Sequence, residues 1–193
     1  MSATILDNKK IEKSFLNVLE SLSEKEKSVL ENRVWIAGER LTLASIWKKF
    51  TPSITRERVR QIEHSGIKKL WRIIKNTDLI LIQDKSRELI ELNWGLIWKT
   101  KLINELIKSL NLPSNINSHI IEVVVQADYD LLKSKPKLWT ETYFHLPDVN
   151  KQLVDTIHKE ALKILKKRKD VMQQISLYEQ VKNNLNLDCS IIL

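Results

Sequence analysis

The apolar positions of this chain recur mostly at three- and four-residue steps, the spacing of one face of an α-helix, and seldom in strict alternation. Ile11, Phe15, Leu16 and Leu19 predict a helix over 11–20. Ser23-Glu24-Lys25-Glu26 matches a capping box, in which the serine hydroxyl accepts from the third amide and the glutamate reaches back. It opens a helix to about Val34, with Leu22 ahead of it and Val29 and Leu30 as apolar contacts. Gly38 breaks the pattern, and Thr42 caps a short helix carrying Leu43, Ile46, Trp47 and Phe50. Thr51-Pro52-Ser53 is a turn, because proline and short hydroxylated residues disfavour continuation of a helix. Thr55 caps the next helix, which runs to about Lys75.

That helix has two clean faces. At ~100° per residue, Val59, Ile62, Gly66, Leu70 and Ile73 fall within an arc of roughly 80°. Arg56, Glu57, Arg60, Gln61, His64 and Lys68 occupy a different arc of about 140°. One stripe packs and the other faces outward. Gly66 costs about 1 kcal/mol relative to alanine inside a helix, which implies that another helix approaches closely on the packed side.

Asn76-Thr77-Asp78 is read as a domain boundary. Beyond it, 86–110 gives one or two helices with Leu89, Leu92, Leu96, Ile103, Leu106 and Leu110. Residues 118–133 carry strand-prone Ile120, Ile121 and Val123–Val125, yet their length and Leu131-Leu132 favour a helix. Pro136 ends it, 138–146 is short and aromatic, Pro147-Asp148 is a turn, and a helix from about Asn150 to Tyr178 closes the chain.

Composition narrows the function. Three glycines and four prolines in 193 residues are too few for an all-β fold with many tight turns. Gly38, Gly66 and Gly95 stand apart, so no phosphate-cradling loop or dinucleotide fingerprint can be assembled from them. Cys189 is the only cysteine, which excludes an intrachain disulfide and zinc sites built on cysteine pairs. The opening MSATILDNKK has no apolar core for a signal peptide, and runs such as Leu79–Ile82 are too short to span a bilayer, so a reducing cytoplasm is expected. His64, His119, His145 and His158 are scattered; His119 and Glu122 share a helical face, a pairing common by accident. No nucleophile has a recognisable base partner, and neither an enzyme, a cofactor nor a metal is expected.

The net charge of +8 favours a polyanionic partner, and its position matters more than its size. Residues 55–75 hold seven cations (Arg56, Arg58, Arg60, Lys68, Lys69, Arg72, Lys75) against Glu57 and Glu63, a net of +5. Residues 151–169 hold seven (Lys151, Lys159, Lys163, Lys166, Lys167, Arg168, Lys169) against Asp155 and Glu160, again +5.

Leu41-Thr42-Leu43, Ile46, Phe50, a turn, then Thr-Arg-Glu-Arg-Val-Arg-Gln-Ile-Glu over 55–63 and Ile67-Lys68-Lys69-Leu70 resemble region four of bacterial housekeeping-type sigma factors. So does the upstream Leu22-Ser23-Glu24, Val29-Leu30 and Arg33. The resemblance covers about residues 20–75 and implies a helix-turn-helix. It implies that Arg56, Glu57 and Gln61 reach base edges in the major groove of a promoter's upstream hexamer. It also implies that Thr42 contacts phosphate, and that Arg58 and Arg60 contact the backbone or neighbouring proteins. Thr55 and Lys68 are counted with the backbone contacts. Arginine offers guanine two parallel donors, glutamine pairs with adenine, and glutamate accepts from the cytosine amino group. The turn at 51–53 is about two residues longer than the family's, and Ser65 stands where the family often has a basic residue. Nothing resembles region two, so a complete sigma factor is not expected.

Shifting the reading helix by 95 positions lays Val154 on Val59, Ile157 on Ile62, Ala161 on Gly66, Lys163 on Lys68 and Leu165 on Leu70. The base-reading set is not repeated: Lys151, Gln152 and Thr156 stand in place of Arg56, Glu57 and Gln61. A diverged second helix-turn-helix at 138–169, gripping phosphate through Lys159, Lys163 and Lys166 or binding a protein, stands beside a chance likeness of two amphipathic helices.

The sequence thus predicts a mainly α-helical chain. Residues 1–77 form a helix-turn-helix domain and 78–193 a second helical domain, with double-stranded DNA as partner and no membrane. RNA polymerase is a further partner implied by the resemblance. Two other readings remain: a protein-interaction adaptor of the anti-sigma or polymerase-appropriating kind, and a stand-alone transcription regulator.

Overall fold

The computed structural model describes residues 8–34, 42–46, 48, 54–113, 115–135, 137, 140–168 and 170–187. They are mainly helical. The elements run α1 (Asn8–Leu19), α2 (Glu24–Val34), α3 (Leu43–Ile46), α4 (Arg56–Ile74), α5 (Ile80–Leu92), β1 (Leu96–Trp98), α6 (Lys99–Ser109), α7 (Ser118–Gln126), β2 (Leu132–Lys133), β3 (Tyr143–His145), α8 (Lys151–Arg168) and α9 (Gln174–Leu185).

Contacts divide the chain into two units, Met1–Pro147 and Asp148–Leu193. This is not the division at 77/78 that the sequence suggested. The turn at 76–78 is tightly bonded: the Thr77 hydroxyl donates to the Ile74 carbonyl at 2.9 Å and accepts from the Leu79 amide at 3.3 Å. Leu79 and Ile82 are fully buried in one core with Ile11, Phe15, Leu70 and Ile74 from before the turn. A polar triplet resembles a linker in sequence, but the apolar residues on either side of it share a single interior.

In the first unit α4 is the central element, packed by α1, α2, α3 and α7. A small separate cluster of Val29, Ile46, Val59 and Ile62, with Ile54 against it, joins α2 and α3 to the first turns of α4. That is the core of a helix-turn-helix: two helices pinned to a third so that its opposite face stays outside. Gly66 meets the expected close approach, since a Cβ there would lie 3.1 Å from Leu30 Cδ1 and 3.4 Å from Glu26 Cβ of α2. The remainder of the first unit sets α5, α6 and α7 around a three-stranded antiparallel sheet of order β1-β3-β2. Ile97 pairs with Phe144 and Trp98 with Tyr143, while Leu132 pairs with His145.

The segment 86–110 resolves into two helices parted by β1, because α5 ends where Trp94 and Gly95 take positive φ and the Gly95 amide returns to the Ile90 carbonyl at 2.9 Å. The helix favoured for 118–133 stops at Gln126, and 132–133 become β2. The single closing helix divides into α8 and α9. No glycine or proline marks the break; the Asp170 carboxylate accepts from the Val171 amide at 2.7 Å, a local bond that competes with the helix. The second helix-turn-helix at 138–169 is not formed, because the residues before α8 that are described are β3 and a turn in place of a first helix.

The second unit is the helical pair α8 and α9. Asn150 caps α8, its side-chain oxygen accepting from the Gln152 and Leu153 amides at 3.1 and 3.2 Å. Asn186 ends α9 in the left-handed conformation, with its amide bonded to the Lys182 carbonyl. None of the α8 residues is fully buried, and Val181 is the buried residue of α9.

Candidate nucleic-acid interface

The candidate surface is built on α4. Thr55, in extended backbone conformation, accepts from the Arg58 amide at 3.1 Å and starts the helix where the sequence placed its cap. Val59, Ile62, Gly66, Ile67, Leu70 and Ile74 are buried, so the helix cannot rotate without exposing its apolar edge. The opposite consequence follows from the 3.6-residue period: Arg56, Glu57, Arg58, Arg60, Gln61, His64 and Lys68 are all exposed.

The outward side chains are ordered along the helix. Arg60 donates two hydrogen bonds to the Glu57 carboxylate, at 2.8 and 2.7 Å, one helical turn apart. The Arg60 guanidinium beside Glu57 holds that carboxyl below the usual carboxylate range. Arg58 donates to the Gln61 amide oxygen at 3.1 Å. Two of the three residues assigned to base edges, Glu57 and Gln61, are therefore each held by an arginine assigned to the backbone. Thr42 is exposed at the start of α3, its hydroxyl oxygen accepting from the Ser45 amide at 3.2 Å. Trp35, Trp47, Phe50 and the turn at 51–53 lie outside the described residues. Trp71 is half-buried, with its ring 5.7 Å from that of Tyr129 and the Lys75 ammonium 3.8 Å from its centre.

Sequence reasoning missed what holds α4 in place. The capping box is half formed. Glu26 reaches back to the Ser23 amide at 3.2 Å, but the Ser23 hydroxyl donates to Glu26 at 2.7 Å instead of accepting from the helix. Across the helix interface, Ser65 and Lys69 of α4 donate to the same carboxylate at 2.8 and 2.9 Å. Burial pushes the Glu26 carboxyl up, and the hydrogen bonds from Lys69, Ser23 and Ser65 outweigh it, bringing it from 4.5 to about 2. Ser65, which departs from the resembling family's basic residue, thus has a structural partner. Its signal lay in the four-residue step from Ser65 to Lys69, which puts both on the edge of α4 nearest α2.

A second tie runs from Arg33 at the end of α2 to Glu63, at 2.8 Å. Behind it lies a cavity of about 120 Å³ lined by Glu63 and Ile67 with Glu122, Gln126 and Lys133. Its charges are matched, Lys133 donating to Glu122 at 2.8 Å with Lys99 and His119 further out. Burial raises the Glu122 carboxyl, but those cations prevail and hold it below its ordinary range. Among the described residues, no cluster of histidine, cysteine and acidic side chains could hold a metal ion, and no helix is long and apolar enough to cross a membrane.

Three helices supporting an outward, capped, cation-rich fourth define a helix-turn-helix module of the DNA-binding class. Residues 18–71 match the family model described as sigma-70, region 4, and this likeness supports a DNA-binding helix-turn-helix in a transcription-related protein. No curated protein and no solved structure matches the chain.

Proposed function

We propose that the chain binds duplex DNA in transcription, with α4 in the major groove and Arg56, Glu57 and Gln61 at base edges. In this reading Thr42, Thr55, Arg58, Arg60 and Lys68 meet phosphates along the flanks, in the cytoplasm. The observation that carries it is the pairing of opposite faces on one helix: an apolar edge locked against α1, α2 and α3, and seven polar side chains, four of them arginine or lysine, standing exposed. The region 4 match supplies the second support, and contact with RNA polymerase is the further partner that match suggests.

Selection of bound sites from random duplexes tests the reading. A single enriched motif is expected, with affinity falling steeply as salt rises because neutralised phosphates release counterions. Arg56→Ala relaxes the motif at one position, by about 1–3 kcal/mol of discrimination. Lys68→Ala weakens every sequence alike and lowers the log–log salt slope by about 0.9. Recovery of no motif, or an affinity indifferent to salt, refutes the proposal. Co-purification with core polymerase separates a polymerase-bound factor from a solitary regulator.

A further inference from the structure

We infer that the second unit carries a separate phosphate-binding surface: the exposed lysine stripe of α8, Lys159, Lys163, Lys166 and Lys167, which tracks the backbone of duplex DNA without reading bases. The inference rests on the reading of α4 as a DNA-binding helix.

At ~100° per residue, Gln152, Thr156, Lys159, Lys163, Lys166 and Lys167 fall within an arc of roughly 100°. All six are exposed. The two acids of α8 flank this stripe and do not interrupt it: Asp155 and Glu160 are both half-buried, and Glu160 accepts from Asn184 of α9 at 2.8 Å. Lys163 reaches Glu160 only at 3.4 Å, with its side chain three-quarters exposed. The six side chains of this arc are thus cationic or hydroxyl- or amide-bearing, a composition suited to phosphate oxygens, and the exposed Leu165 lies outside it.

Helix electrostatics explains part of this charge but not all of it. Lys166, Lys167 and Arg168 occupy the last turn of α8, where cations complement the partial negative charge of the carbonyl end. Lys159 and Lys163 sit two and more turns into the helix and gain little from that dipole. Their four-residue separation gives a rise of ~6 Å, of the order of the distance between successive phosphates on one strand. Because both surfaces belong to one chain, engagement of α4 makes the second contact intramolecular, and modest single contacts gain weight from effective concentration.

The test uses the full chain and a pool of random-sequence duplexes, with affinity measured across a range of salt. Lys159, Lys163 and Lys166 are changed together to glutamine, which retains helix propensity, and in a parallel variant to arginine. The glutamine variant is expected to lose about 2.7 from the magnitude of the log–log slope, at about 0.9 per phosphate contact. It should recover the same selected motif as the parent, and the arginine variant should keep the parental slope. A glutamine variant with the parental slope overturns the inference and leaves the stripe to an acidic protein partner or to solvent. If the parent itself shows no salt-dependent binding, the reading of α4 has failed and takes this one with it. The two failures are therefore distinct.

Discussion

Glu26→Gln removes one negative charge from the seam between α2 and α4 while keeping the shape of the side chain. The carboxylate is 7% exposed and accepts from Ser23, Ser65 and Lys69. Each pKa unit is worth about 1.4 kcal/mol, so displacement from 4.5 to about 2 corresponds to roughly 3 kcal/mol of stability. The Lys69 side chain is 56% exposed, and solvent screening of that contact reduces the expectation to about 2–3 kcal/mol. The folded pKa lies below the unfolded one, so this contribution is complete above about 4.5 and disappears as the pH falls through about 2. Urea unfolding of parent and variant at pH 7 and pH 3 reads it directly. The stability difference should be about 2–3 kcal/mol at pH 7 and less than half of that at pH 3. An equal stability at pH 7, or a difference that does not narrow on acidification, refutes the assignment of Glu26 as the charged tie between the helices.

Four other substitutions, at three positions, test the same kind of reasoning. Gly66→Ala places a methyl 3.1 Å from Leu30 Cδ1, so the gain in helix propensity of about 1 kcal/mol is largely offset and stability stays within about 1 kcal/mol of the parent. Gly66→Val adds two methyls to a seam already closed and costs a further 1–3 kcal/mol, roughly; a valine variant as stable as the alanine one would contradict the close packing of α2. Arg87→Ala strands Asp128, whose side chain is fully buried and bonded to Arg87 at 2.7 Å, at a cost of about 3 kcal/mol at pH 7. Burial already pushes the Asp128 carboxyl up, and loss of Arg87 raises it further, so denaturation should show that deficit shrinking as the pH falls; a constant deficit counts against the ion pair. Arg58→Ala frees the Gln61 oxygen and, in site selection, should leave the Gln61-dependent base preference intact while lowering the salt slope by about 0.9. A loss of preference equal to that of Gln61→Ala would instead make Arg58 the residue that positions Gln61.

Helix α4 was legible in the sequence because it is long, strongly two-faced and opened by a capping threonine, and each of those signals is local. Exposure of Arg56, Glu57, Gln61 and Lys68 follows from the same period. The strands were not legible. Each is two or three residues long, too short for alternation to register, and β1 exists only because residues 96–98 meet 143–145 from far along the chain. The break between α8 and α9 was hidden because neither glycine nor proline marks it. The seam of Glu26, Ser65 and Lys69 was hidden for a different reason: it joins residues about forty positions apart, and its parts acquire meaning only once α2 is known to lie on α4. Local chemistry told which face of α4 is presented, and long-range packing tells what holds it there.

The pairing of Glu57 with Arg60 and of Gln61 with Arg58 bears on how such a face could read a groove. In bulk water an exposed ion pair one turn apart is weak, since the high dielectric screens the attraction and holding two long side chains costs rotamer entropy. These contacts therefore do not lock the surface. They restrict the side chains to the outward arc before any ligand arrives, which lowers the ordering cost of binding. Glutamine recognises adenine through its oxygen and its amide together, so on the proposed reading Arg58 would release Gln61 for that contact and would itself turn to a phosphate on the flank of α4. Base contact and backbone contact would then be made by exchange of existing hydrogen bonds, with no rearrangement of the helix beneath them. That economy depends on α4 being rigid, and its rigidity comes from the buried edge, the glycine seam and the single carboxylate of Glu26.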